Sequence, residues 1–285
     1  MTNLRVPLTT FIAAFVFNST ICTAIAPEAS TVQNPDQEEW IDLFNGKDLS
    51  NWSVKIRGFP LGENAFNTFR VEDGIMQARY DQYKEFDERF GHIFSNAGPF
   101  SHYKMLVEYR FVGEQVKGGP EWALRNNGIM YHTQDPKTMS VGQDFPGSIE
   151  YQFLGGNGKN PRTTGNLCTP GTHVVFNGKF TEDHIINSNS DTFHGDQWVT
   201  AELTVHGSEK AEHFINGKKV LEYTGLQWDD RTPNSGGFIA LQAESHPTDF
   251  RKVRLLNLEG CMDKKAKNYK SYFVKNKPDA CEYNQ

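Results

Sequence analysis

Basic charge is what this chain has too little of for one large class of function. Twenty-nine Lys and Arg stand against 35 Asp and Glu, giving a net charge of −6 at pH 7 and a pI near 5.9. No strip of basic and aromatic residues relieves that balance, which argues against a nucleic-acid partner. Long apolar runs are missing as well. Phe11-Ile12-Ala13-Ala14-Phe15-Val16-Phe17 is too short and too poorly flanked for a membrane span, so no transmembrane segment is expected. Helical periodicity is absent: from Trp40 to Gly260 no segment sustains it for three turns. There is no internal repeat and no low-complexity tract. Cysteine is scarce, with four residues in 285.

What remains describes a chain of strands and turns. Its length fits one large all-β domain or two smaller ones, with ample room for a core. Aromatic content of 13% with 25 Gly suits strands and tight turns, and supplies side chains that stack on sugar rings.

Residues 1–26 read as a secretory signal peptide. Arg5 gives a weak positive region, the apolar run follows, and Thr23-Ala24-Ile25-Ala26 offers small residues for cleavage. Pro27 leaves the cut itself open. Cys22 raises a lipoprotein alternative, though Ser19-Thr20-Ile21 lacks the usual small-residue approach. A secreted or periplasmic location is expected, with residues 27–39 as a polar linker.

The fold begins at Trp40. Thr68 to Arg79 has the form of a hairpin turning at Glu72-Asp73-Gly74, and Glu212 to Tyr223 turns at Asn216-Gly217. Lys104 to Val112, Trp198 to Val205 and Phe250 to Leu258 alternate as strands. Many short strands between Gly, Pro and Asn turns predict a sandwich or jelly roll over residues 40–259. The stretch from Gly155 to His173 is expected to be a long loop, functional or mobile.

Two strands carry the polar chemistry. In Ser148-Ile149-Glu150-Tyr151-Gln152-Phe153-Leu154, the apolar Ile149, Tyr151 and Phe153 face one way and Glu150 and Gln152 the other. In Gly237 to Glu244, Ile239, Leu241 and Ala243 oppose Ala240, Gln242 and Glu244. If both lie in one sheet, their polar faces merge into a patch of amides and carboxylates that suits sugar hydroxyls. A solvated outer face is the alternative. Asn126, Met130 and His132 share one face of a third strand that would border the patch.

Residues 260–285 form a distinct tail. With Cys22 removed three cysteines remain, and the simplest pairing in an oxidising compartment is Cys261 with Cys281. Closing that loop stabilises it by about 3 kcal/mol. Cys168 is then free: a small buried hydrophobe, or else a nucleophile or metal ligand.

These residues resemble a known family, the secreted 3-keto-disaccharide hydrolase domain. The motifs are Trp40-Ile41-Asp42-Leu43-Phe44-Asn45-Gly46-Lys47-Asp48-Leu49 with Trp52, Phe69-Arg70-Val71-Glu72-Asp73-Gly74, Asn126-Asn127-Gly128-Ile129, Ser148-Ile149-Glu150-Tyr151-Gln152, and Gly237 to Glu244 with Phe250-Arg251. The resemblance spans roughly Trp40 to Leu258 and implies a concanavalin-like β-sandwich (jelly roll) with the site on its concave sheet. It also implies cleavage of glycosides oxidised to a ketone at C3, by lyase and hydratase chemistry. Glu150, Gln152, Gln242 and Glu244 carry over as site-lining residues. His132 stands where many relatives have Arg. The tail resembles a Cys-bounded module at the ends of secreted bacterial proteins, with Asp263 and Asn268 at its polar positions.

A C3 ketone acidifies the C2 proton, so a base can remove it and the C1 substituent can leave, with water adding afterwards. The expected catalytic groups are Glu150, Glu244 and His132. Arg125, Asn126, Gln152, Gln242, His173 and His246 are expected to bind substrate. A divalent cation would suit enolate stabilisation, with Glu150, His132, Glu244 and His246 as its ligands. An oxidised glycoside is the expected partner. Two other functions compete: a carbohydrate-binding module without catalysis, and a retaining glucanase. The latter wants acids at alternate strand positions. Gln152 and Leu154 after Glu150 argue against it.

Overall fold

The computed structural model describes residues 1–2 and 34–284. The expected signal peptide, Cys22 and the first half of the linker lie outside the described residues, apart from Met1 and Thr2. Among those described, no helix is long and apolar enough to cross a membrane.

Period-two alternation becomes strand wherever the sequence carries it. In chain order the first strands are β1 (Ile41–Asp42), β2 (Trp52–Ile56), β3 (Phe69–Glu72), β4 (Ile75–Ala78), β5 (Gly91–Ser95) and β6 (His102–Phe111). Next come β7 (Asn126–Thr133), β8 (Ile149–Leu154), β9 (Asn166–Cys168), β10 (Thr172–Phe176), β11 (Lys179–Thr181) and β12 (Ile185–Ile186). The domain ends with β13 (Val199–His206), β14 (Lys210–Ile215), β15 (Lys218–Trp228), β16 (Phe238–Ala243) and β17 (Thr248–Asn257). Asp73-Gly74 and Asn216-Gly217 all have positive φ, the geometry that two-residue hairpin turns require.

Two antiparallel sheets result. One has ten strands, in the order β11-β10-β15-β14-β13-β6-β17-β4-β3 with β1 beside β17; the other has seven, β12-β9-β8-β7-β16-β5-β2. Their apolar faces meet. Ile129, Ile149, Tyr151, Phe153, Ile239 and Leu241 from the seven-stranded sheet join Met105, Val107, Leu203, Val205 and Phe250 from the other, all fully buried. Tyr109 and Phe153 stack between the sheets with centroids 4.0 Å apart. The protein is an all-β, concanavalin-like sandwich of jelly-roll type. The segment from Gly155 to His173 differs from the expected loop, because β9 and the start of β10 lie within it. Asn166 to Cys168 is short, but it completes the edge of β8.

The outer face of the ten-stranded sheet is held by charge. Asp249, 1% exposed, pairs through one oxygen with Arg79 and through the other with Arg110 Nε at 2.8 Å. Asp249→Ala strands two half-buried guanidinium groups, so it should cost about 3 kcal/mol in urea unfolding. A loss under about 1 kcal/mol would mean solvent already screens the pairs.

The tail is closed by the Cys261–Cys281 disulfide, with Cα atoms 4.9 Å apart, and Cys168 is free and buried. Residues 34–39 are less of a linker than their polarity indicates. Lys270 pairs with Glu39, and Ser271 N–H donates to Pro35 O at 3.0 Å, so this segment is tied to the tail.

Candidate functional site

The polar faces of β8 and β16 lie in the same sheet, on the side away from the core. Register explains how they meet. Glu150 stands opposite Met130 on β7 and opposite Cys168 on β9, and Met130 stands opposite Ala240 on β16. One step along, Gln152 pairs with Gly128 and Asn166. Gly128 leaves the backbone bare where the polar groups converge. A Cβ there would come 2.8 Å from Gln242 Oε1 and 3.0 Å from Glu150 Oε1. Glycine inside a strand marks such a close approach.

A cleft of about 640 Å³ opens over this face, within the usual range for small-molecule sites. Glu150, Gln152, Glu244 and Asn126 line it with Cys168; Trp122, Phe145, Arg162, Pro170, His184 and Ile185 stand around them. The floor is buried rather than solvated: Glu150 is 6% exposed and Gln242 fully enclosed. Burial alone pushes the Glu150 carboxyl up to about 8, although Gln242 and the Cys168 thiol lie close enough to favour its charged form. Glu244 is raised well above the carboxylate range, first by burial and then by the nearby Glu150. Burial and Glu150 also raise the Cys168 thiol, which is therefore held as the neutral S–H. Both polar atoms of Gln242, one oxygen of Glu244 and the Asn126 carbonyl lack a full hydrogen-bond partner within the protein. Buried groups left this way are normally completed by something bound. Gln152 is held by Asn166, whose Nδ2 donates to its Oε1 at 3.1 Å.

Of the expected site residues, Glu150, Gln152, Gln242, Glu244 and Asn126 come together. Four do not. His132 is the extra residue of a β-bulge: Thr133 pairs with Phe238 and Tyr131 with Ile239, and His132 takes φ 47°. The bulge breaks the alternation, so its ring packs against Tyr103 and Tyr131, and Nδ1 sits 3.0 Å from Asn234 O. His173 belongs to β10 in the opposite sheet, with Nε2 3.2 Å from Asp229. Arg125 turns to the neighbouring loop, where it donates to Gly195 O at 2.9 Å and faces Asp196. His246 lies beyond the end of β16 with its ring against Phe111, and burial, then the Arg125 charge, lowers it to about 4.

The expected metal set therefore does not assemble. No group of three or more His, Cys, Asp or Glu is gathered for an ion among the described residues, and His132 points into the core. Of the four expected ligands, the cleft keeps Glu150 and Glu244 alone.

Trp122, Phe145 and Arg162 were not legible as site residues. Trp122 is 53% exposed, stacks on Phe90 with ring centroids 5.7 Å apart and lines the cleft. Arg162 Nη2 donates to Trp122 O at 3.1 Å and Nη1 to Gly155 O at 2.8 Å, tying two loops together. None of the three lies in a strand.

Fold and cleft define a β-sandwich that presents a buried carboxyl pair and free carboxamides on one sheet face. The chain belongs to the family of 3-keto-alpha-glucoside-1,2-lyase-like domains, whose model matches residues 39–256, and its function is carbohydrate-related. No curated protein matches it. Among solved structures, a protein from Parabacteroides distasonis described as a candidate glycosyl hydrolase is similar at 17% identity. The match covers 77% of this chain and 94% of that one, with a TM-score of 0.47. A Bacillus subtilis protein with a galectin-like fold is similar at 14% identity over 78% of this chain and 97% of that one, TM-score 0.49. The carbohydrate-binding module CBM66 of Bacillus subtilis is similar at 10% identity over 64% and 86%, TM-score 0.36.

Proposed function

We propose that this protein cleaves glycosides carrying a ketone at C3, by elimination across C1 and C2 followed by hydration. The supporting observation is the pair of buried carboxyls, Glu150 and Glu244, with the unpartnered Gln242 carboxamide alongside. Two acids in one site with separated proton affinities divide the labour of acid and base. Glu150, whose carboxyl burial raises to about 8, removes the C2 proton. The C–H electrons form an enolate with the C3 oxygen, and Gln242 Nε2 is the free donor available to stabilise it. As the ketone re-forms, the C1–O bond breaks and Glu244 protonates the leaving oxygen. Water then adds to the C1=C2 bond to complete a net hydrolysis. Trp122 supplies a stacking face for a sugar ring.

The test is incubation with 3-keto-glucosides and their unoxidised parents in D2O. Sugar release from the ketone only, with deuterium at C2 and a transient enone absorbance, is the expected result. Equal cleavage of the unoxidised parents without exchange would assign the carboxyl pair to an ordinary glycosidase. Tight binding with no turnover of either would leave a carbohydrate-binding module.

A further inference from the structure

Between Ala243, which ends β16, and Thr248, which begins β17, the chain passes from one sheet to the other. Glu244 is the first residue outside the ladder, so strand pairing does not fix its direction. Ser245 comes next, at φ +88°, a region that residues with a side chain seldom occupy. It is fully buried, and each of its polar groups is tied. Its N–H donates to Tyr80 Oη at 2.8 Å, its carbonyl accepts from Val116 N at 3.0 Å, and its hydroxyl accepts from Gln115 Nε2 at 2.8 Å. Gln115 is itself held by Pro120 O at 2.9 Å. Gly119 leaves the space for this contact, since a Cβ there would lie 2.7 Å from Gln115 Nε2 and 2.8 Å from Ser245 Oγ.

A strained residue persists only where its surroundings over-determine it, and such residues cluster at functional sites. What the strain accomplishes is visible in the next residue back. The left-handed turn takes the chain out of the sheet immediately after Glu244, leaving that carboxyl on the same face as Gln242 and directed into the cleft. Two buried carboxyls repel once both are ionised, so relaxation of the corner would separate them. The same anchors reach the other wall. The turn from Val116 to Gly119 runs through Pro120 into the short helix Glu121–Ala123 that carries Trp122.

We propose that the left-handed backbone at Ser245 is the positioning element that holds the Glu244 carboxyl against Glu150, and that φ, not the hydroxyl, is what the position requires. Its catalytic consequence rests on the reaction proposed above; its structural consequence does not.

The experiment reads both. The carboxyl C=O stretch is followed by infrared spectroscopy against pH, with Glu150→Gln and Glu244→Gln to assign the bands, alongside kcat and KM on a 3-keto-glucoside. Ser245→Val, whose branched side chain cannot keep this φ, should lower kcat about 30-fold with KM within about 3-fold. Its carboxyl pair should titrate at lower pH than in the wild type, toward the ordinary Glu range. Ser245→Gly, which takes φ +88° freely, should rescue both readouts. Tyr80→Phe removes one anchor and should shift the titration in the same direction by less; it decides the matter if Ser245→Val does not fold. A wild-type titration in Ser245→Val, or in Tyr80→Phe where that stands in, overturns the proposal. So does a loss in Ser245→Gly as large as in Ser245→Val. The infrared titration needs no substrate, so a wild type inactive on 3-keto-glucosides would reject the reaction and leave the positioning role decided on its own.

Discussion

Glu150→Gln and Glu244→Gln should each lower kcat on 3-keto-glucosides by about 100-fold or more, the scale of a lost general acid or base. Gln matches Glu in volume and keeps a polar tip, so it removes the proton chemistry and little else. KM should move by less than about 3-fold, because the remaining amides still hold the sugar. The pH profile separates the two roles. A base must be ionised, so wild-type kcat/KM should rise with pH and level off once Glu150 has ionised, near 8. Glu150→Gln should flatten that limb. Turnover within about fivefold of the wild type in either variant would take that carboxyl out of the reaction.

The same substitution should make the protein more stable. Glu150 titrates near 4.5 when exposed and near 8 in the fold. A folded value above the unfolded one means that the favourable contribution is complete below 4.5 and is lost as pH rises through 8. Across that window the unfolded chain ionises freely while the folded chain must stay protonated or expose a charge to an apolar cleft. Glu150→Gln abolishes the loss. At pH 5 the variant and wild type should melt within about 2 °C of each other. At pH 8 the variant should gain about 4 kcal/mol at most, less whatever Glu244 recovers from losing a charged neighbour. Equal melting temperatures at both pH values would mean that water reaches the carboxyl and the cleft is not dry. Increased stability with lost turnover is the usual trade at a site built from unfavourable burial.

Some of the site was legible because it obeys a local rule. Ile149, Tyr151 and Phe153 alternate with Glu150 and Gln152, and core demand for the first set places the second on the opposite face. Ile239, Leu241 and Ala243 do the same for Gln242, while Glu244 continues that alternation one residue past the end of the strand. His132 obeys the same alternation on paper and lies elsewhere, because a bulge inserts one residue and reverses the face. The bulged strand carries no Gly or Pro at this point; the glycine that makes room for it is Gly237 across the pairing, where a Cβ would lie 2.6 Å from the His132 carbonyl carbon. His173 failed for another reason: its strand belongs to the other sheet, and sheet membership is a long-range pairing.

By itself, then, the sequence determined the all-β class, the tight hairpins at Asp73-Gly74 and Asn216-Gly217, the Cys261–Cys281 closure and the faces of β8 and β16. Each follows from side-chain period, turn chemistry or a count of cysteines, all properties of neighbours in the chain or of simple elimination. Only the tertiary structure decided that Glu150 and Glu244 share one cleft, that Cys168 sits beside the first, and that Trp122 and Arg162 form its walls. Glu150 lies in Ile149–Leu154 and Glu244 just past Phe238–Ala243, strands joined in register only through β7. Proton affinity depends on what surrounds a carboxyl in space, and that arrangement exists only once the sheet has closed over it.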